Sequence, residues 1–237
     1  MSGPGQRVAI ITGASQGIGA GLVAGYLAQG WAVVANSLDI KPSDDQAVLT
    51  VAGDVSAADT AERIVTAAME RFGRIDTLIN DAGVFIGKPF TDYTIDDYQK
   101  TVSVNLTGFF LMTQRVIAEM LKGGGGHVVN ISSTMVEHAH SDSPALLASL
   151  TKGGLVAATR SLAIEYASRG VRANAVSLGV IETPLNPPES YAGLAKLHPM
   201  GRVGKVSDVV DGILYLESAP FVTGEILHID GGQSAGR

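Results

Sequence analysis

The chain has 237 residues, of which 46% are hydrophobic and 17% charged, and its formal net charge is −6. This composition lets residues 1–237 bury a large core as one domain, while the acidic balance disfavours nucleic acid or an anionic membrane as a partner. The chain contains no cysteine, which excludes disulfides and thiolate metal ligands, and no metal site is predicted.

At the N-terminus, the segment MSGPGQRVAIITG contains one arginine and a short apolar strand. It lacks the longer apolar region and the small-residue cleavage site of a secretory signal. No apolar run in the chain approaches the roughly 18 residues that a membrane-spanning helix needs. We therefore expect a soluble, cytoplasmic protein with no membrane partner.

Apolar strands alternate with segments in which apolar residues recur at helical spacing. In chain order the predicted elements are strand Arg7–Thr12, helix Gly17–Gln29, strand Trp31–Asn36, strand Val48–Ala52, helix Ala57–Phe72, strand Ile75–Asn80, helix Ile95–Lys122, strand His127–Ser132, helix Ala145–Ser168, strand Val171–Ser177, helix Val206–Glu217 and strand Glu225–Ile229. An irregular stretch with four prolines, from Pro184 to Pro199, precedes the last helix. Strands that are apolar on both faces and separated by helices indicate an α/β fold with a parallel sheet covered on both sides.

The motif TGASQGIG follows the first strand and opens the first helix. Its glycines, Gly13, Gly17 and Gly19, allow a tight turn and a close approach of backbone to a pyrophosphate, whose charge a helix N-terminus stabilises. Their spacing is GxxxGxG and differs from the GxGxxG of the general dinucleotide fingerprint. A plain tight turn is the alternative, and the flanking strand and helix favour the nucleotide site.

Five motifs, spread from the first strand to the last, resemble those of the short-chain dehydrogenase/reductase family. TGASQGIG resembles the family's TGxxxGxG, NDAG at 80–83 its NNAG, and SVNLTG at 103–108 the segment with its catalytic asparagine. ISS at 131–133 resembles the end of its catalytic-serine strand, and VTGEILHIDGG at 222–232 its closing segment. The resemblance implies a three-layer Rossmann fold with a roughly seven-stranded parallel sheet, a nicotinamide cofactor, a small-molecule substrate held by a loop at 184–200, and a homotetramer or homodimer.

In this family a hydride moves between the nicotinamide and a carbonyl carbon, and the carbonyl oxygen needs a hydrogen-bond donor and a proton. A tyrosine four residues before a lysine supplies the proton. By resemblance Lys152 is that lysine and binds the nicotinamide ribose, Ser133 holds the carbonyl oxygen, and Asn105 supports a water beside the lysine. The position of the tyrosine is held by Ala148, and no other tyrosine has a lysine four residues later.

The same resemblance implies a set of cofactor-binding residues. They are Gly13, Ser15, Gln16, Gly17, Ile18 and Gly19 in the glycine motif, Ser37 and Leu38 after the second strand, Asp54 and Val55 beside the adenine, Asn80, Ala82 and Gly83 at the fourth strand, Lys152 at the ribose, and Ile181 and Thr183 at the carboxamide. NADP-binding members usually carry a basic residue at the positions of Leu38 or Gln16. These two residues and Asp39 favour NAD, whereas the nearby Lys41 keeps NADP open. NAD specificity usually depends on an acid at the position that Ser37 holds.

Each catalytic assignment has a structural alternative. Asn105 could satisfy only nearby backbone groups, and Lys152 could be a solvated helix lysine. The spacing from Ser133 to Ala148 is slightly longer than the family usually has, so Thr134 is an alternative to Ser133. We favour the family roles because several motifs occur in the family's order.

Two departures accompany the absent tyrosine. Leu178 stands where the family commonly has a proline before Gly179, which leaves the local backbone open. Asp81 stands where NNAG has its second asparagine, and we interpret its carboxylate as a cap for the segment that follows.

Another group could supply the proton. His138 and His140 can exchange protons near neutral pH, although surface-loop residues are the simpler interpretation of both. Ser149 and Thr151 are poorer candidates, because aliphatic hydroxyls are weak acids and their helical positions point away from the face shared by positions 148 and 152.

The sequence therefore predicts an NAD(P)-dependent oxidoreductase that acts on a small carbonyl or alcohol, or on a C=N or C=C bond, with an atypical proton donor. The alternatives are a cofactor-binding protein with little turnover, serving as a sensor or oligomer partner, and a Tyr-to-Ala variant of an active reductase. Helices Ile95–Lys122 and Ala145–Ser168 are more apolar than one sheet-facing stripe requires. This excess predicts a second buried face in a homo-oligomer, a tetramer by resemblance.

Overall fold

Seven parallel strands form one sheet in the order β3-β2-β1-β4-β5-β6-β7. The strands are β1 Val8–Thr12, β2 Ala32–Ser37, β3 Val48–Ala52, β4 Thr77–Asn80, β5 Gly126–Ser133, β6 Val171–Leu178 and β7 Ile226–Ile229. The computed structural model describes residues 5–236. Residues 1–4, at the start of the N-terminal segment compared above with a secretory signal, and residue 237 lie outside the described part. The predicted α/β Rossmann fold with a seven-stranded parallel sheet is confirmed.

Helices cover both faces of this sheet. They are α1 Gly17–Ala28, α2 Ala58–Phe72, α3 Ile95–Val102, α4 Gly108–Lys122, α5 Leu146–Tyr166, α6 Tyr191–Leu194 and α7 Val206–Ser218. One core joins the sheet to α2, α4 and α5, through residues such as Ile64, Met112 and Ala163. A second core joins the opposite face to α1 and α7, through residues such as Leu22 and Ile213. The strands are apolar on both faces because both faces are covered.

The predicted helix Ile95–Lys122 is helical over its full length, although not as one regular α-helix. A π-helical turn, Ser103–Thr107, separates α3 from α4. Asn105 lies in this turn and is buried; its Oδ1 accepts a hydrogen bond from Val84 N–H at 2.8 Å, and its Nδ2 donates to the Val84 carbonyl at 3.1 Å. π-turns inside helices are rare and concentrate at functional sites. Here the turn joins the helix to the segment after β4.

The order of the strands places a crevice at one edge of the sheet. The chain runs outward from β1 to β2 and β3, and then returns to β4 on the other side of β1. In open α/β sheets, ligands bind at this reversal, outside the carboxyl ends of the strands. The stretch predicted to be irregular, between Pro184 and Pro199, lies after β6; it is partly helical, with α6 and two 3-10 turns over 188–197.

Candidate functional site

The segment after β1 forms the tight turn that its glycines predict. Gly13 and Gly17 have φ angles of 70° and 55°, a region that glycine adopts without strain. A Cβ on Gly19 would lie 2.3 Å from the Gly13 carbonyl oxygen, and a Cβ on Gly13 would lie 2.9 Å from Ala82 N. The turn therefore needs glycine to pack against α1 and against the segment after β4. This packing exposes the N-terminus of α1 at the crevice.

A cleft of about 500 Å³, the cofactor cleft, runs along this turn. Of the predicted cofactor residues, its lining contains Gly13, Ser15, Gln16, Gly17, Ile18, Ser37, Leu38, Asp54, Val55, Ala82, Gly83 and Thr183. Gly19 lies under the turn, whereas Ile181 and Lys152 line the next cavity. Asn80 is buried and donates hydrogen bonds to Asn130 Oδ1 at 2.9 Å and to Thr113 Oγ1 at 3.0 Å, so its side chain joins β4 to its neighbours.

Sequence reasoning missed several residues of the cofactor cleft. Asn36, at the end of β2, is fully buried; its Nδ2 donates to the carbonyls of Val51 and Gly53, and its Oδ1 has no partner within residues 5–236. A polar residue at a strand end beside the glycine turn could have indicated this position. Lys100 also lines the cleft, from α3. No local pattern marks it, because tertiary packing brings α3 to the sheet edge.

A second cavity of about 250 Å³, the inner cavity, adjoins the cofactor cleft. The two share six lining residues, Ile18, Asp81, Gly83, Val84, Thr183 and Leu185. The inner cavity also contains Ser133, Ala148 and Lys152 in its lining. Much of the remaining wall is apolar, with Phe85, Met135, Leu178, Val180 and Ile181.

The structure brings the three predicted catalytic residues together. Lys152 Nζ donates to the Ile131 carbonyl at 2.7 Å, at the end of β5. Ser133 Oγ accepts from Met135 N–H at 3.3 Å, which leaves the proton of the hydroxyl for a ligand. Asn105 Oδ1 and Lys152 Nζ both lie 3.3 Å from the point that a Cβ on Gly83 would occupy. The lysine and the asparagine thus converge on one glycine.

The other candidates for the serine and the proton donor lie elsewhere. Thr134 is buried and is absent from the lining of the inner cavity, whereas Ser133 belongs to it. His138 is exposed. His140 lines a different cavity, and its Nε2 lies 3.1 Å from Gln233 Nε2. Ser149 Oγ donates to the Met135 carbonyl at 3.0 Å.

The hydroxyl of Thr151 is also engaged. It donates to the Leu147 carbonyl at 2.8 Å and accepts from Asn105 Nδ2 at 3.1 Å. Thr151 is fully buried and does not line the inner cavity. Its position therefore supports the α5 backbone and the asparagine.

Asp81 and Lys152 are the ionisable side chains in the lining of the inner cavity, within the described part of the chain. Burial raises the pKa of Asp81 to about 7, although the Lys152 charge and a hydrogen bond from the Gly19 amide oppose the shift. Burial lowers the pKa of Lys152, and the Asp81 charge opposes that shift. Gly19 belongs to the first turn of α1, so the Asp81 carboxyl lies near the start of that helix. Its role as a cap for the segment after β4 stays a prediction.

Two hydrogen bonds fix the backbone of the turn after β6, where Leu178 replaces the family's proline. Leu178 ends the strand, and the Gly179 N–H donates to the Ile229 carbonyl at 3.2 Å. The next amide, of Val180, donates to His198 Nε2 at 3.0 Å. A histidine from the stretch after α6 therefore holds the backbone at this point.

Two other kinds of site are absent from residues 5–236. No group of three or more His, Cys, Asp or Glu side chains is arranged to hold a metal ion. None of the helices is both long enough and apolar enough to cross a membrane.

The parallel sheet, the glycine turn at the α1 N-terminus and the cleft at the strand reversal define a dinucleotide-binding protein of the Rossmann class. A family model described as enoyl-(acyl carrier protein) reductase matches residues 13–234. The 3beta-hydroxysteroid dehydrogenase 1 of Eggerthella lenta is 33% identical over 96% of this chain and 94% of its own length. The 3-oxoacyl-[acyl-carrier-protein] reductase of a Synechocystis species is 31% identical over 95% and 96%. The chain belongs to the short-chain dehydrogenase/reductase family of NAD(P)-dependent oxidoreductases.

Solved structures of similar proteins contain both kinds of dinucleotide. The 3-ketoacyl-(acyl-carrier-protein) reductase from Brucella melitensis, complexed with NADH, has a TM-score of 0.89 and 30% identity, with 96% of this chain and 98% of that chain covered. ElxO with NADP bound has a TM-score of 0.91 and 27% identity, with 98% and 100% covered. The binding of a nicotinamide dinucleotide is thus common to these neighbours.

Proposed function

We propose that the protein transfers a hydride between a nicotinamide dinucleotide and a small carbonyl or alcohol, with a proton donor other than tyrosine. The observation that carries the proposal is the junction of the two cavities. The cofactor cleft begins at the α1 N-terminus, and it opens into the cavity lined by Ser133 and Lys152. A dinucleotide whose pyrophosphate lies at the helix N-terminus would extend its nicotinamide toward these two side chains.

The residues present fit such a dinucleotide. A Cβ on Gly17 would lie 3.4 Å from the side chain of Thr183, another residue of the cleft lining, so its absence leaves backbone that a pyrophosphate can approach closely. Ser37, Asp54 and Val55 line the end of the cleft that would hold the adenosine. When bound, the dinucleotide supplies or accepts the hydride, and the chain supplies binding, orientation and the proton.

The cleft favours NAD over NADP. A phosphate on the adenosine ribose needs a cationic partner, most often an arginine. The lining beside Ser37 and Leu38 offers no such residue among those described, and its cation, Lys100, comes from α3. Asp39 follows Leu38 and is exposed, so it adds negative charge near this end of the cleft.

The inner cavity would hold the reacting carbonyl. Ser133 would donate a hydrogen bond to the carbonyl oxygen, and Lys152 would bind the ribose, with Asn105 beside it. Ala148 is buried and leaves the space before Lys152 open. The apolar wall, which includes Phe85 and Met135, favours a substrate with an apolar group next to its carbonyl, imine or conjugated double bond.

A second candidate function is dinucleotide binding with little turnover, and Ala148 is the observation that favours it. The two functions are separated by mixing the protein with NADH or NADPH and a panel of ketones, aldehydes, imines and enones. Loss of the reduced-nicotinamide absorbance, absent in a Gly19→Asp control that blocks the turn, would support the oxidoreductase. Dinucleotide binding without oxidation by any member of the panel would support the second function.

We also propose that the protein forms a homo-oligomer. Large apolar side chains on α4 and α5 are exposed in the single chain, and they include Phe110, Leu150 and Ile164. Ile164 is 86% exposed. Exposed apolar groups of this kind mark an interface when they lie on neighbouring helices.

A further inference from the structure

We propose that Lys152 itself donates the proton to the substrate oxygen, and that Asp81 restores the proton balance of the inner cavity after the transfer. This inference rests on the proposed function, because it assigns the proton source of the same reaction. It gives Lys152 a step beyond ribose binding, and it gives Asp81 a positioning role.

The geometry exposes the ammonium of Lys152 to the inner cavity. Ala148 and Lys152 are four residues apart on α5 and therefore share one face of the helix. The small side chain of Ala148 leaves the space between Lys152 and the cavity unfilled. An ammonium has three N–H donors, and Lys152 uses one on the Ile131 carbonyl, two residues before Ser133 on β5. The remaining donors can serve the ribose and the substrate oxygen.

A lysine ammonium is acidic enough for this step. Unperturbed lysine and tyrosine have pKa values of about 10.4 and about 10, so the two groups are acids of similar strength. Burial lowers the pKa of Lys152, which makes its ammonium a stronger acid than a solvated one. An alkoxide that forms beside it is far more basic than the resulting amine. The exchange of tyrosine for alanine therefore does not remove every suitable acid from the cavity.

Asp81 compensates for the charge that the transfer removes. Its carboxyl lies at the junction of the two cavities, and Lys152 is the charged group that acts on it. Asp81 is in turn the charged group that acts on Lys152. When Lys152 loses its proton, Asp81 loses the positive charge that favours its ionised form and binds a proton more strongly. The pair thus stays near electrical neutrality.

In the reduction, each bond that forms is matched by one that breaks. The substrate carbonyl carbon gains a hydride from the reduced dinucleotide, and the electron pair of the C=O π bond moves to the oxygen. The oxygen forms an O–H bond with a proton of Lys152, whose N–H bond breaks and leaves a neutral amine. The products are an alcohol and the oxidised dinucleotide. Asp81 then takes up a proton from solvent and passes it to the amine, which restores the ammonium and the carboxylate, and oxidation of an alcohol runs these steps in reverse.

Lys152→Arg tests the donor directly. Arginine keeps the positive charge but does not release a proton in proteins. Calorimetry gives the change in dinucleotide affinity that the altered ribose contact causes, and at saturating dinucleotide we expect single-turnover hydride transfer to fall by about 10²- to 10⁴-fold. Asp81→Asn should leave dinucleotide binding intact. It should also remove the ionisation near neutral pH from the pH profile of hydride transfer.

The outcomes separate this inference from the proposed function. If Lys152→Arg binds dinucleotide and transfers hydride at the original rate, the inference is overturned and the proposed function stands. If the original protein binds dinucleotide but reduces nothing in the panel, both fail. If Asp81→Asn leaves the pH profile unaltered, the role of Asp81 is overturned.

A titration of the cofactor-free protein gives a readout that does not depend on activity. In NMR spectra of carbon-13-labelled protein, the signal of the Asp81 carboxyl carbon is assigned by its absence in Asp81→Asn. Its chemical shift should change near neutral pH, where the carboxyl loses its proton. Lys152→Met removes the opposing positive charge, so the pKa of Asp81 should rise further. An Asp81 that titrates near the ordinary value of about 4 in both proteins would refute the interaction.

Discussion

Replacing Ala148 by tyrosine should place a strong proton donor in the inner cavity. Ala148 is 5% exposed and lines a cavity of about 250 Å³ that also contains Ser133 and Lys152. A cavity of about 150 Å³ holds a benzene molecule in a protein core, so the ring of a tyrosine has room here. The new hydroxyl would lie close to the Lys152 ammonium, whose positive charge lowers the pKa of a phenol.

The expected gain follows from the size of general acid catalysis. A positioned acid contributes about 10²- to 10⁴-fold to a rate. Lys152 already supplies a proton in our proposal, so the low end applies, and kcat/KM for simple ketones should rise about 10²-fold, or about 2.7 kcal/mol. Dinucleotide affinity should stay nearly unchanged, because the glycine turn and Lys152 are intact.

The assay compares kcat/KM and dinucleotide binding for the original protein, Ala148→Tyr and Ala148→Phe. Phenylalanine fills the same volume without the hydroxyl, so a gain in the tyrosine variant alone isolates proton donation from packing. If Ala148→Tyr binds dinucleotide but its activity stays flat or falls, the cavity is built around alanine for another donor or another reaction. A tyrosine at position 148 would then not act as the proton donor.

Three further predictions concern cofactor, assembly and pH. Calorimetric titration should show tighter binding of NAD than of NADP, because Lys100 of α3 is the one cation in the described lining of the cleft and no arginine follows Ser37 and Leu38 to pair the extra phosphate. Tighter binding of NADP would contradict this. Ile164→Glu should dissociate a homo-oligomer by charging an exposed apolar face, and light scattering that gives the original protein a mass near the 24.5 kDa monomer would overturn the assembly. Lowering the pH from about 7.5 to about 5.5 should reduce the free energy of unfolding, because burial lowers the pKa of His127 and the unfolded chain takes up the proton first, below about 6.5. Thermal unfolding of His127→Gln should lack this part of the pH dependence, and an unaltered slope would rule out His127 as its source.

The strands and the glycine turn could be predicted from sequence because their determinants are local. Each buried strand is a short apolar run, and the run predicted over Arg7–Thr12 forms β1 Val8–Thr12. Gly13 and Gly17 have positive φ angles, which glycine adopts without strain. The glycine at each position therefore indicates the turn directly. The order of the strands and the layers of helices depend on long-range packing, which no single run of residues encodes.

The helix over Ile95–Lys122 shows where local reasoning ends. Nothing in the segment SVNLT forbids a regular α-helix, and its apolar spacing continues into α4. In the π-turn, the side-chain amide of Asn105 forms hydrogen bonds with Val84, in the segment after β4, and with Thr151 on α5. These partners are distant in the chain, so the spacing alone could not indicate the wider turn.

Asp81 shows the same limit for the chemistry of the site. An aspartate after a buried strand is typical of a cap, and the sequence offers no reason to expect more. Its raised pKa arises from burial, while the Lys152 charge on α5 and the Gly19 amide at the start of α1 oppose the shift. Burying one charge is costly without an opposite charge nearby, and Lys152 supplies it. Among the described residues, Asp81 and Lys152 are the ionisable side chains in the lining of the inner cavity, and Ala148 adds no third one. We therefore expect the pH dependence of hydride transfer to follow this pair.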